Sequence, residues 1–367
     1  MVSLQAAGEV SQRVNPAASY QLDASNGATM GRLAFAQLSL AAQNGEEQDV
    51  AARTALPLAQ RAFQAEPVNP HALTVMIRAQ EDDTTKRALL ASALQLHRRS
   101  LALQGLALDQ HGNDGDLPKV VETLDQILRV HPERFGELGP VLIGALVDDS
   151  TLPSFALILS NSSPWHKRFL NAAAANPNAV ENLGKLIRQT AYRDEALDQI
   201  VIDRLGATGN IAEARIHLAW INEVQPQSAA NAAQPWPIAY PPLDWRLREG
   251  RGRRAQLSRD GSEVEIFVRS GSGGELLSRS IAAPARSGVL RIEHNLEPAD
   301  QIGALRLRLT CDNAAQPFLN ASFADIGGGA ALSGMPDGCE YLTISVSGRS
   351  LSGRPPVSGA IQSIKIS

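Results

Sequence analysis

The 367-residue chain has no run of apolar residues approaching the roughly 20 needed to span a bilayer, so no membrane span is expected in it. Its first residues, MVSLQAAGEVSQRV, have neither the basic start nor the apolar stretch of a secretion signal. Positive charge is not in excess. The net charge is −4, which offers no general attraction to nucleic acid or anionic lipid, and no nucleic-acid partner is expected. Chemistry-bearing motifs are also missing. His71, His97, His111, His131, His166, His217 and His294 are scattered without an HExxH pair or Cys/His ligand spacing, so no metal site is expected. There is no GxSxG elbow, no GxxxxGK phosphate cradle and no GxGxxG between a strand and a helix; neither a catalytic residue nor a cofactor is expected. The run Gly327, Gly328 and Gly329 lies among strand-like segments, where it reads as a hairpin loop.

Cysteine is scarce: only Cys311 and Cys339, 28 positions apart. Two readings stand for them. Joined, they require an oxidising compartment and stabilise by roughly 3 to 4 kcal/mol in the chain-entropy model; separate, they are ordinary buried thiols. The oxidising reading places the protein in the periplasm or cell envelope, and the N-terminal residues favour the cytoplasm.

What is present is an ordinary globular composition, 44% hydrophobic and 20% charged, in a chain longer than one core usually organises, which makes two domains the expectation. Charge is uneven about Leu243. Before it stand 19 basic and 25 acidic residues; from it onward stand 15 basic and 13 acidic, and fourteen of those 15 are Arg. Arg246, Arg248, Arg251, Arg253 and Arg254 are either a solvated strand edge or a bidentate surface for anionic partners.

From Gly27 to about Val224, apolar residues recur at three- and four-residue spacing, the amphipathic-helix signal. Breaks fall at NGEEQ (44–48), EPVNP (66–70), HGNDGD (111–116), HPER (131–134), NSSP (161–164), NPN (176–178) and ATGN (207–210). Asp82 and Asp83, Asp114 and Asp116, and Asp148 and Asp149 fall at turns or helix starts, where they read as caps rather than as catalytic pairs. Residues 225–242, QPQSAANAAQPWPIAYPP, contain five Pro and no charge and read as an extended connection. Beyond them come alternating segments such as VEIFVR, ALRLRLTC and YLTISVSG, the pattern of an antiparallel β-sandwich. Val264, Ile266 and Val268 share one face, as do Leu305, Leu307 and Leu309.

The segment 101–132, LALQGLALDQHGNDGDLPKVVETLDQILRVHP, resembles one tetratricopeptide repeat, with a turn at Gly115 and a closing Pro132. Residues 54–73 resemble a related half before Pro67, and 205–226 resemble a third copy with Gly209 in the turn and Pro226 closing it. PLDWRL, MPDGCEYLTISVSG and the helical phrase SSPWHKRFL resemble a group of tetratricopeptide-like proteins of sphingomonad-type alphaproteobacteria, linked to envelope or capsular polysaccharide biosynthesis. Together these imply a multidomain α-then-β chain: an N-terminal extended segment (1–25), a tetratricopeptide-like α-solenoid (26–225), a Pro-rich linker (226–242) and a jelly-roll-like antiparallel β-sandwich (243–367).

The expectation for function is a non-enzymatic scaffold that holds protein partners along a helical-repeat groove. The alternative is a carbohydrate-binding protein acting through the sandwich, with Trp245, Phe267, Phe323 and Tyr341 as glycan-stacking or interdomain residues. Trp165 and Trp220 read as core. An enzyme acting on glycan or peptide ranks last, since it needs carboxylates converging in a cleft.

Overall fold

The computed structural model describes residues 15–224, 235–326 and 329–366, with α-helices followed by two antiparallel sheets. Residues 1–14 of the expected extended segment, 225–234 of the expected linker, and Gly327 with Gly328 lie outside the described residues. By its contacts the chain divides into two compact units, Met1–Lys167 and Arg168–Ser367, a division well before the proline-rich stretch.

The helices in chain order are α1 (Pro16–Leu22), α2 (Gly27–Gln43), α3 (Gln48–Ala65), α4 (Pro70–Arg78), α5 (Asp83–Leu96), α6 (Leu101–Asn113), α7 (Leu117–Val130), α8 (Phe135–Leu146) and α9 (Leu152–Leu159). Next come α10 (His166–Ala174), α11 (Val180–Thr190), α12 (Glu195–Ala207) and α13 (Ile211–Val224). Their starts are written in the side chains. Asn26, Asn69, Asp82 and Asp116 each precede a helix and accept from a backbone N–H of its first turn. Asp148 does the same for Ser150 at 2.8 Å. Asp114 departs from the capping expectation, since both its oxygens are taken by Arg87 at 2.6 and 2.7 Å. The expected extended stretch 1–25 is also corrected: Asn15 caps Ala18 and Pro16 supplies a ready-made first helical φ, so 16–22 is helical.

Three helix ends close alike. Gly45, Gly115 and Gly209 take positive φ of 83°, 68° and 85°. The next N–H then reaches back to a carbonyl of the helix just ended: Glu46 to Ala41, Asp116 to His111, Asn210 to Leu205, at 3.0, 2.9 and 2.8 Å. The chain is thereby reversed into the pairs α2/α3, α6/α7 and α12/α13.

Where α2, α3 and α4 meet, the core is largely alanine: Ala34, Ala52, Ala55, Ala59, Ala62 and Ala72 are almost wholly buried. Small side chains let helix backbones approach closely but give little shape to hold them in register. Asn69 supplies that hold. It is 2% exposed; Oδ1 accepts from His71 and Ala72 N–H, and Nδ2 donates to the Gly27 carbonyl and Glu66. Gly31 is required opposite it, because an added Cβ would overlap the Asn69 amide.

In the second unit the strands are β1 (Arg246–Leu247), β2 (Glu249–Gly250), β3 (Arg253–Leu257), β4 (Val264–Val268), β5 (Gly273–Ala282), β6 (Val289–His294), β7 (Arg306–Cys311), β8 (Leu319–Ser322), β9 (Ala330–Ala331), β10 (Tyr341–Arg349) and β11 (Val357–Ile366). They form sheets of order β1-β5-β10-β7-β8 and β2-β3-β4-β11-β6-β9. Alternation decides which side chains turn inward. Val264, Ile266 and Val268 on β4 are buried between exposed Glu265 and Phe267; Leu307 and Leu309 on β7 are buried between exposed Arg306 and Arg308. Both sheets contribute to one core, which makes this a sandwich. Each Leu, Ile or Val buried there contributes about 1.5 to 3 kcal/mol.

The described part of the proline-rich stretch is packed, not extended. Trp236 is 2% exposed, its ring 5.0 Å from that of Trp245 in the sandwich core, and the Trp245 N–H donates to Pro237 O at 2.7 Å. Burying an indole outweighs the extended preference of the surrounding prolines. Within this unit, α12 and α13 lie against the sandwich. Pro242 packs on Gly206, Asp203 pairs with Arg246, and the Arg215 guanidinium stands 5.8 Å from the Tyr341 ring. Among the described residues, no single helix is long and apolar enough to cross a membrane.

Two stability predictions follow from these contacts. A Cβ at position 206 would overlap Pro242, so Gly206→Ala is expected to destabilise the second unit by roughly 1 to 3 kcal/mol in urea melts, despite the better helix propensity of Ala. An unchanged or raised midpoint would refute the docking. Cys311 and Cys339 are joined by a disulfide with a sequence separation of 28, and replacing both with Ser is expected to cost about 3.5 kcal/mol in the same measurement.

Candidate functional site

A groove of about 720 Å³ with a largely apolar lining lies within the first unit. It is built from one face of each first helix of successive pairs. Phe35, Leu38, Ser39 and Ala42 of α2 are spaced i, i+3, i+4 and i+7; His71, Thr74 and Arg78 on α4, and Ala102, Gly105 and Asp109 on α6, are spaced i, i+3 and i+7. Arg99, His131 and Arg134 close one side.

The base of the groove is ordered by polar ties. Arg78 donates to Asp109 at 2.9 Å and stands 3.4 Å from Asp49, so one guanidinium joins α3, α4 and α6. The Arg87 and Asp114 pair adds a second tie between α5 and the end of α6; it raises the Arg87 pKa and, chiefly through the same hydrogen bond, lowers that of Asp114. His71 packs on Phe35 with ring centroids 5.2 Å apart. Burial, and then the nearby Arg32, holds its pKa below the ordinary imidazole value, so it is a neutral ring at physiological pH.

The rim is cationic. Arg99 is exposed and has no ion-pair partner among the described residues, and Arg134 keeps a single exposed partner, Glu137, at 2.8 Å. This positive rim sits on a unit that is acidic as a whole, with thirteen Lys or Arg against eighteen Asp or Glu in residues 1–167. The arrangement is suited to seating an acidic or hydrogen-bonding segment along an apolar floor. Gly105 lies mid-helix on that floor with open space where a Cβ would go.

The expected site residues are placed differently from one another. Trp245 and Phe323 are each 3% exposed in the sandwich core, so neither presents a face to a sugar, which corrects that reading of them. A Trp opening a strand and a Phe in a turn are drawn inward because the two sheets need large side chains to fill their ends. Tyr341 is half-buried beneath Arg215 and serves the contact between α13 and the sandwich. Phe267 alone of the four is open, 38% exposed on the outer face of β4. Trp165 is fully buried, whereas Trp220 is only half-buried, lying beside His217 and under Arg193. Beneath it, fully buried Asp198 accepts from Arg193 at 2.7 Å and lies 3.1 Å from His217 Nε2, a tie between α12 and α13. Among the described residues no three His, Cys, Asp or Glu side chains converge as a metal site.

Sequence reasoning did not single out the groove residues. The available signal was the helical spacing of positions 35 to 42, 71 to 78 and 102 to 109, each mixing apolar with polar side chains. No protein-family model matches the chain, and no curated protein matches it.

In the first unit, His71, His111 and His166 all have pKa values lowered chiefly by burial. Near and below the ordinary value of 6.5 the unfolded chain therefore binds more protons than the folded one. Stability is complete above that pH and falls as pH drops through it. Urea midpoints are expected to decrease from about pH 7.5 to about pH 5.5, and less steeply in His71→Gln. A flat or rising profile would contradict the burial assignment.

Proposed function

We propose that the protein is a non-enzymatic scaffold that holds an extended or helical segment of a protein partner in the groove of α2, α4 and α6. The observation that carries this is the convergence of one face from each of three successive first helices on a common apolar floor with a cationic rim. The pairs α2/α3 and α6/α7, closed by the same glycine turn, support a tetratricopeptide-like solenoid for this part of the chain. A jelly-roll-like reading of the sandwich rests on its two antiparallel sheets.

The cellular setting proposed is the periplasm or envelope, in assembly or export of envelope polysaccharide. Its supports are the sequence resemblance and the Cys311–Cys339 disulfide, since such bonds persist in oxidising compartments.

Photo-crosslinking in cells tests the scaffold reading. A benzophenone amino acid at Ala102 or Ser39, both partly exposed on the groove lining, is expected to trap one and the same protein. The same probe at Leu96, exposed and away from the groove lining, is expected not to. Gly105→Trp projects an indole over the floor from a position with open space around its Cβ and should weaken binding of the purified partner at least about tenfold. Equal trapping from Leu96, or undiminished binding by Gly105→Trp, would overturn the proposal.

A further inference from the structure

The outer face of the second sheet carries a shallow trough of about 360 Å³, separate from any residue of the helical groove. Two cross-strand rows build it. Arg254 on β3, Phe267 on β4 and Ser358 on β11 are direct neighbours in one row; Gln256, Glu265 and Ala360 are neighbours in the next. The β4 alternation that sends Val264, Ile266 and Val268 inward leaves Phe267 and Glu265 outside. On the β11 side both rows end in small side chains, Ser358 and Ala360, so one side of the Phe267 ring has room beside it.

Asn295 forms the far wall. Its Oδ1 accepts from Ala360 N at 2.6 Å and its own N–H donates to Ala360 O at 3.0 Å, while Glu297 bridges to Ser358. Gly359 lets this wall come close: its φ is 131°, and an added Cβ would lie 2.7 Å from the Asn295 carbonyl. With Oδ1 committed, the Asn295 Nδ2 donors have no partner among the described residues. Around the Phe267 ring the trough thus offers donors from Arg254 and Asn295 and acceptors from Glu263 and Glu265, the last steadied by Gln256 at 2.6 Å.

We propose that this trough binds a neutral saccharide, with the apolar C–H face of one pyranose ring on Phe267 and its hydroxyls shared among Arg254, Glu265 and Asn295. Other ligand classes fit less well. Two carboxylates against one guanidinium oppose an anion. An added peptide strand needs a free sheet edge, and β4 and β11 are each already paired on both sides. A folded protein needs a far larger apolar patch than one phenyl ring. A flat aromatic ringed by a few polar groups suits a small hydroxyl-rich ligand.

The test is calorimetric or NMR titration of the full chain with cellotetraose, mannotetraose and galactotetraose, and with a hexaglutamate peptide as the anionic comparison. At least one saccharide is expected to bind with a dissociation constant of about 0.1 to 1 mM. Phe267→Ala should weaken it at least about tenfold without lowering the melting temperature, because the ring lies outside the core, and Phe267→Trp should keep or tighten binding. Binding of none of the three saccharides would overturn the proposal. So would equal binding by Phe267→Ala, or binding of hexaglutamate alone.

Discussion

Arg78 stands at the end of α4 between Asp49 and Asp109, and the geometry of the groove depends on that one cation. The surrounding helices meet through alanines, which allow close approach while specifying little about axial or rotational register. Partly exposed ion pairs contribute about 0 to 1 kcal/mol each, so the pairs formed by Arg78 and Arg87 act less as stabilisers than as locators. Asn69 adds a buried locator beneath them, tying α2, the end of α3 and the start of α4 through hydrogen bonds that have no solvent to replace them. With these three residues in place, the faces carrying Phe35, His71 and Gly105 point into a common space.

The second unit solves a different problem. Its sheets share one dense apolar core, so outward positions are free to carry polar or functional side chains, as Phe267, Glu265 and Arg254 do. The helices α11, α12 and α13 lie in the same unit as this core, and Pro242, Arg246 and Tyr341 reach back to α12 and α13. Composition changes at the proline-rich stretch; packing changes earlier.

Much of the architecture was legible in residue order. Three- and four-residue spacing located the helices, period-two alternation located β4 and β7, and the acidic caps at Asp82, Asp116 and Asp148 followed from their place before helical runs. The helix break at residues 97–100 carries no glycine or proline and was not legible, whereas that at 79–82 was marked by Asp82 and Asp83 alone. The stretch 235–242 was misread because proline content is a local cue, whereas the burial of Trp236 and Tyr240 is decided by distant strands. The same holds for Trp245 and Phe323: nothing in a single sequence separates an aromatic that fills the end of a sandwich from one that faces water. Phe267 was legible as an outward residue once Val264, Ile266 and Val268 were assigned inward. The groove was not, because its lining comes from three helices separated by their partners, and the register between pairs is set by Arg78 and Asn69 rather than by any local pattern.

Backbone hydrogen exchange of the chain, free and in complex with its native partner, tests the groove most directly. Exchange is expected to slow on binding in α2, α4 and α6, around residues 35–42, 70–78 and 101–109, with α3, α5 and α7 little changed. Protection confined to α3, α5 and α7, or to the sandwich alone, would contradict it.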